Sequence, residues 1–289
     1  MISPGRDTPI RMAALEEHPL FFESGDRPCF GVHHAAPPAP EGVVVVHVHG
    51  LGVEQIALYR EEVLSARAVA AAGHPVFRHH ARGHGDSAGD FSAVTVSTLV
   101  EDARAAADCA RRRTGAARVI WLGVRFGAIV AALAAGGRTD TAGFLFWEPV
   151  SRPMDFFRAQ LRGMLFSNVA GGKKPDATVD QLFERITRDG SVDVHGYLLH
   201  GALVESARDV SLDSALAAAA PAPVRLIQVQ QRARLAPAHA ALVESLTARG
   251  VSVTTALISS EPGYQLMSNP AWESPELRAS TVEAAVALA

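Results

Sequence analysis

The sequence predicts an α/β fold built on a mostly parallel, doubly wound sheet, with a helical cap inserted after the sixth strand. Apolar strand-like runs alternate with helical stretches over residues 1–150, the alternation lapses over residues 151–223, and it resumes over residues 224–289. This alternation is typical of a parallel sheet covered by helices on both faces. The chain has 289 residues, of which 48% are apolar, so it can form one core carrying an inserted subdomain. These three ranges are the predicted first part of the core, the cap and the second part of the core.

The first part of the core contains six predicted strands. PLFFES and CFGVHHA come first and are separated by the turn signal GDRP. EGVVVVHVHG is a β-branched run suited to a strand that is buried on both faces. The remaining strands are HPVFRHHA, ARVIWLGV and TAGFLFWEPV, and the intervening helices are predicted over residues 54–72, 92–113 and 126–137.

The predicted cap consists of helices, and regular alternation returns after it. The cap helices are MDFFRAQLRGMLF, VDQLFERITRDG and HGYLLHGALVESARDV. After the cap come the strand PVRLIQVQ, the helix PAHAALVESLTARG, the strand VSVTTALIS and a final helix with Ser274 as its N-cap. We expect the cap to lie over the carboxyl ends of the strands, where open α/β sheets bind their ligands.

Composition excludes several classes of function. The net charge of −3 gives no reason to expect nucleic acid or an anionic membrane as a partner. Two distant cysteines and the lack of a long apolar run predict a cytoplasmic protein without a membrane span. No G-x-G-x-x-G or Walker-type loop and no metal-ligand spacing occurs, so we predict no cofactor and no metal. Homodimer formation is left open.

Several motifs carry a resemblance to a known superfamily. HVHGLG follows the third strand, RHHARGHGDSAG follows the fourth, and GVRFG joins the fifth strand to its helix. In this order they resemble the α/β-hydrolase superfamily, whose oxyanion loop and nucleophile elbow lie at the first and third of these places. FFES, LFWEPV, VDVHGYLLHGAL and AWESPELRASTVEAAVALA are also similar to the exosortase-A-system-associated hydrolases of the second type. That group is linked to exopolysaccharide and surface-protein sorting loci, and the resemblance implies arginine at the elbow there too.

The catalytic triad that the resemblance implies is not found in the sequence. The nucleophile position holds Arg125, whose guanidinium stays protonated and cannot attack a carbonyl. No acidic residue follows the seventh strand within QRARLAPAHAA, and the last histidine, His239, precedes the eighth strand. GDSAG matches G-x-S-x-G, but Ser87 lies in a loop and not at a strand-to-helix turn, which predicts a loop-bracing role. We therefore expect no acyl-enzyme mechanism.

Arg125 has two interpretations. The resemblance implies that the Leu51 and Phe126 amides form an oxyanion hole, so an arginine beside them would complete a corner that binds a carboxylate or phosphate. Alternatively, Arg125 forms a structural ion pair with Glu148 or Glu261, because a desolvated guanidinium demands a partner.

Histidines supply the remaining candidates for catalysis. His47 and His49 lie at the end of the third strand and could act as a general base, while His200 lies in the cap where it could contact substrate. A loop-bracing role is the alternative for His49, which precedes Gly50. Two functions follow: a non-covalent, hydrolase- or lyase-like enzyme acting on a small anionic carbonyl or acyl substrate, or an inactive pseudohydrolase that serves as a binding or assembly partner in surface-polysaccharide or protein sorting.

Overall fold

A computed structural model of the protein describes residues 16–37, 42–172, 174, 177–219, 221–232, 234–263 and 272–289. Its main sheet has eight strands in the order β1-β2-β4-β3-β5-β6-β9-β10. Their bounds are β1 (Glu17–Ser24), β2 (Arg27–His34), β3 (Val43–Val48), β4 (Val76–His79), β5 (Arg118–Val124), β6 (Thr141–Trp147), β9 (Val224–Val229) and β10 (Val253–Ile258). In this sheet β4, β3, β5, β6, β9 and β10 pair in parallel, each with the next. The pairs β1–β2 and β2–β4 are antiparallel. The predicted fold class is confirmed, and every predicted strand of this sheet is present.

Helices cover both faces of the sheet. Outside the cap they are α1 (Val53–Ala71), α2 (Val96–Thr114), α3 (Gly127–Ala135), α8 (Pro237–Ala248) and α9 (Pro275–Leu288). Side chains of β3 alternate between two apolar clusters, with Val44 and Val46 facing α2 and α3 and Val45 facing α1 and α9. This strand is buried along its whole length, as its β-branched run predicts. Ser274 caps α9 by accepting a hydrogen bond from the Leu277 amide, which confirms the predicted cap.

The insertion between β6 and β9 contains a hairpin as well as helices. Its elements are α4 (Pro153–Ala170), α5 (Val179–Asp189), β7 (Ser191–Val194), β8 (Tyr197–His200), α6 (Gly201–Ser206) and α7 (Leu212–Ala218). The prediction of one helix over residues 195–210 is therefore wrong. His195 and Gly196 both have positive φ, 57° and 89°, and join β7 to β8 through a two-residue turn of the kind that closes hairpins.

The insertion lies over the carboxyl ends of the central strands, as expected. Phe126, which follows β5, packs its ring against Phe156 and Phe157 of α4, with ring centroids 5.6 and 5.8 Å apart. Within the part of the chain that the structure describes, no helix combines the length and apolar character needed to cross a membrane.

Candidate functional site

A sharp turn between β5 and α3 places one side chain at the centre of the sheet's carboxyl edge. Arg125 stands at its tip with a φ of 52°, a conformation that non-glycine residues seldom adopt. Gly123 and Gly127, on either side of Arg125, allow strand β5 and helix α3 to approach each other closely. A Cβ atom on Gly123 would come within 2.5 Å of the Ala128 Cα atom, and one on Gly127 would overlap the carbonyl oxygens of Val48 and His49. The turn predicted from GVRFG is thus present, with arginine at its tip.

The Arg125 guanidinium forms a two-point ion pair with Glu54 in the first turn of α1. Its Nε and Nη2 atoms donate to the two carboxylate oxygens of Glu54 at 2.9 and 3.1 Å. Its Nη1 atom donates to the backbone carbonyl of Glu148 at 2.8 Å. Gln160 of α4 donates from its amide to Glu54 Oε1 at 2.8 Å, so a cap residue also contacts this pair. The Arg125 side chain is only 14% exposed and that of Glu54 3%.

The prediction that Arg125 forms an ion pair with Glu148 or Glu261 is wrong, because its carboxylate partner is Glu54. Glu148 contributes its backbone carbonyl, while its carboxylate accepts the Val229 amide at 2.5 Å. Glu261 is exposed, and no ion pair between it and Arg125 occurs among the described residues. Sequence reasoning placed Glu54 at the start of a helix but did not identify it. An acidic residue in a helix's first turn, just after the oxyanion-loop segment, is the signal that could have found it.

Burial perturbs the carboxyl group of Glu148. Glu148 is buried just after the carboxyl end of β6, and desolvation raises the pKa of its carboxyl group to about 7. The nearby Arg125 charge and the Val229 amide act in the opposite direction, and the Glu54 carboxylate adds to the increase. Glu148 is therefore a group that titrates near neutrality beside the elbow.

The two predicted oxyanion-hole residues line one small cavity. Leu51 and Phe126 lie on the wall of a cavity of about 30 Å³, together with His49. Within the described residues, no acceptor bonds to the backbone N–H of Leu51 or Phe126. The cavity can hold about one water molecule. The structure thus brings these three predicted residues together next to the elbow.

His47 and His49 both lie close to a third residue, Glu62 of α1. The Nδ1 atom of His49 lies 2.5 Å from Glu62 Oε2, and the Nε2 atom of His47 lies 3.9 Å from Glu62 Oε1. Burial lowers the pKa of His47 well below its usual value, which keeps that imidazole neutral. Sequence reasoning missed Glu62. His47 and His49 alternate with Val48, and this two-residue spacing, which places both histidines on one side of the strand, was the available signal.

His200 lies apart from these residues, on a larger open cavity of about 680 Å³. Of the predicted site residues, only His200 is among the described residues that line it. The cavity separates α1 from the β7–β8 hairpin and the loop after β4, and its polar and aromatic lining includes Tyr59, Arg60, His80, His84, Asp90, Phe91, Tyr197 and His200.

Ser87 braces the loop that follows β4, as predicted. Its hydroxyl accepts the Phe30 amide at 2.8 Å and donates to the His80 carbonyl at 2.7 Å. These bonds tie the loop to Phe30 of β2 and to His80, which directly follows β4, and the side chain is buried. The G-x-S-x-G match at this serine therefore marks a structural position.

Known proteins share this fold and part of this sequence. Residues 38–195 match the sequence model of the family described as Serine aminopeptidase, S33. Est1E from Butyrivibrio proteoclasticus, solved with ferulic acid, is 15% identical with a TM-score of 0.66, and the alignment covers 92% of this chain and 96% of Est1E. An esterase from Pyrococcus furiosus is 14% identical with a TM-score of 0.62, covering 97% and 94% of the two chains. At these identities the likeness shows the fold alone. No curated protein sequence matches the chain.

Proposed function

The chain belongs to the Serine aminopeptidase, S33 family of α/β-hydrolases, and we propose that it is a member that binds a small molecule without forming an acyl-enzyme. The observation that carries this proposal is the two-point bond between Arg125 and Glu54 at the elbow. A guanidinium has no lone pair for attack on a carbonyl. Its charge is matched by a buried carboxylate, so the elbow has a structural role in this proposal.

The other positions of a triad support the same conclusion. His239 is the last histidine of the sequence, and it is buried. Its ring nitrogens lie 2.6 Å from Gln228 Oε1 and 3.0 Å from the Pro149 carbonyl, so both contact groups of the protein itself. Burial lowers the pKa of this imidazole. His239 therefore fits a structural role and not that of a catalytic base.

The open cavity of about 680 Å³ is the proposed ligand site. Its rings, Tyr59, Phe91 and Tyr197, offer apolar surface for a planar or acyl group. Its imidazoles, His80, His84 and His200, offer polar contacts for a carbonyl or carboxylate. A small anionic acyl compound fits this combination, and it would bind beside the hairpin of the cap. In this proposal the ligand does not touch Arg125.

Non-covalent hydrolysis is the second candidate function. It is favoured by the 2.5 Å contact between His49 Nδ1 and Glu62, which would orient the imidazole as a general base. The amides of Leu51 and Phe126 line the same small cavity as His49 and could stabilise a developing oxyanion. Both candidates agree that no covalent intermediate forms.

A cellular role follows only from the narrower sequence likeness. We propose that the protein acts with surface-polysaccharide or surface-protein sorting systems, because its motifs are similar to those of exosortase-A-system-associated hydrolases. In that setting a ligand-binding protein without acyl-enzyme chemistry would serve as a binding or assembly component.

Labelling followed by intact-mass measurement tests the proposal. The wild-type protein and Ser87→Ala are treated with a fluorophosphonate probe and, separately, with an activated acyl ester. We expect no gain in mass for either protein. A gain of one phosphonyl group on the wild type would overturn the proposal, and its loss in Ser87→Ala would identify that serine as the nucleophile. Ester turnover without a gain in mass, if abolished in His49→Gln, would select the second candidate.

A further inference from the structure

Helix α1 buries three carboxylates, and one of them has no arginine or lysine beside it among the described residues. Glu54 pairs with Arg125, and Glu61 pairs with Arg278 of α9 at 2.9 Å. Glu62 is fully buried, and its only ionic neighbours among the described residues are His47 and His49. A buried carboxylate requires a compensating positive charge. Unlike Glu54 and Glu61, Glu62 has no permanent positive charge beside it among the described residues to compensate its own.

His47, His49 and Glu62 each have a buried polar atom for which the described part of the chain supplies no hydrogen-bond partner. These atoms are the Nε2 of His47, the Nε2 of His49 and the Oε1 of Glu62, and none of them has a hydrogen-bond partner among the residues that the structure describes. Buried polar atoms are nearly always satisfied, so three orphans on adjoining side chains call for an explanation. A hydrogen bond between His49 Nδ1 and Glu62 Oε2 alone leaves all three unexplained.

We propose that His47, His49 and Glu62 bind one divalent first-row transition-metal ion. Each residue offers one ligand atom, and these atoms lie within 4.8 Å of one another, as one shared ion requires. Two imidazoles and one carboxylate are a donor set that Zn²⁺ and non-haem Fe²⁺ use, with further positions left for water. The hard cations Mg²⁺ and Ca²⁺ favour sites built from oxygen atoms alone. The site does not depend on ligand binding in the large cavity or on the elbow, and a bound metal ion would replace the general-base role of His49 in the second candidate function.

The surroundings suit a bound cation. The His47 and His49 side chains are both buried, which shields a bound ion from solvent. Arg78 of β4, a buried cation nearby, donates its Nε to His34 and not to Glu62. His49 also lines the cavity of about 30 Å³, which leaves room for about one water molecule beside the site.

Zinc binding to the full chain tests the site. Chelator-treated wild-type protein is titrated with Zn²⁺ by calorimetry, and Co²⁺ serves as a spectroscopic probe. We expect one Zn²⁺ per chain and a visible Co²⁺ absorption typical of low coordination. Glu62→Gln should weaken Zn²⁺ binding by about 100-fold or more, since it removes the charged ligand. Glu61→Gln is the matched control, because it makes the same change at the next buried position of α1; His18→Gln controls for an exposed histidine.

The outcomes separate cleanly. Binding lost in Glu62→Gln and retained in both controls supports the site. No uptake of Zn²⁺ or Co²⁺ by the wild type, or uptake that survives Glu62→Gln, overturns it and leaves a hydrogen-bonded His49–Glu62 pair. If Glu62→Gln does not fold, X-ray absorption of the zinc-loaded wild type decides: two imidazoles with oxygen ligands support the site, and any other set contradicts it. A gain of mass in the fluorophosphonate test would overturn the proposed function without touching this result.

Discussion

Arg125 at the tip of the β5–α3 turn and Glu54 at the start of α1 face each other in a two-point ion pair, 71 residues apart in sequence. This pair joins the centre of the sheet to the helix that follows β3. Gln160 extends it to the cap, because its amide donates to the same carboxylate. The tip of the β5–α3 turn is thus linked to both the core and the cap.

Gln160→Ala should loosen the attachment of α4. The substitution removes a hydrogen bond to a buried carboxylate, which we expect to lower the free energy of unfolding by about 1–3 kcal/mol. Hydrogen exchange should rise in α4 more than in the sheet. Arg158→Ala is the control on the same helix, since its ion pair with Asp180 is exposed and should contribute about 0–1 kcal/mol. Equal effects of the two substitutions would show that Gln160 has no special role.

Ser87→Ala should destabilise the protein without affecting any acyl transfer. The change leaves the Phe30 amide and the His80 carbonyl without their partner, at a cost of about 1–3 kcal/mol. Chemical denaturation measures this loss. Ser92→Ala, at an exposed position of the same region, should change stability by less than about 0.5 kcal/mol. A neutral Ser87→Ala would contradict the bracing role.

Glu148→Gln should alter how stability depends on pH. Burial raises the pKa of Glu148 from 4.5 to about 7, so its contribution is fully present below about pH 4.5 and is lost as the pH rises through 7. The variant should therefore gain stability relative to the wild type between pH 4.5 and 8, by on the order of 2–3 kcal/mol. Denaturation at several pH values provides the measurement. Glu283→Gln is an exposed control whose free energy of unfolding should depend on pH as that of the wild type does. If Glu148→Gln showed the same pH dependence as the wild type, the prediction would be refuted.

Substitutions in the turn of the β7–β8 hairpin should change stability in opposite directions. Gly196 has a φ of 89°, and a Cβ atom there would meet no other atom within 4 Å, so Gly196→Ala isolates backbone strain and should cost about 1 kcal/mol. His195 has a φ of 57°, which asparagine tolerates better, so His195→Asn should stabilise by a few tenths of a kcal/mol. Gly163→Ala, inside α4, is a control that should stabilise by about 0.5–1 kcal/mol. Thermal unfolding measures these changes. If Gly196→Ala raised the melting temperature as Gly163→Ala should, the assigned turn would be contradicted.

The order of strands and helices in the core was predictable because its signals are local. Strands such as β3 are continuous β-branched runs, and their helices end at glycines such as Gly115, which has a φ of 71°. The hairpin of the cap was missed because Leu198, Leu199 and Leu203 also suit a helix. The His-Gly pair at its turn was the stronger signal.

The partners of the site residues could not be predicted from the sequence, because α1 buries glutamates and leaves some of its apolar side chains partly exposed. Glu61 and Glu62 are fully buried, whereas Val63 and Leu64 next to them are only partly buried. Charged residues on a helix are usually exposed, so the inner face of α1 is not apparent from its apolar residues. Only the packing of α1 on the sheet shows that Glu54 meets Arg125 and that Glu62 meets two histidines.

A double-mutant cycle on Arg125 and Glu54 tests the central claim most directly. Stability is measured by denaturation for the wild type, Arg125→Met, Glu54→Gln and the double variant. We predict that Arg125→Met costs about 3–5 kcal/mol by leaving a buried carboxylate unpaired, and that the double variant loses at least about 2 kcal/mol less than the sum of the single losses. Losses that add to within about 0.5 kcal/mol would contradict the claim that this ion pair holds the elbow.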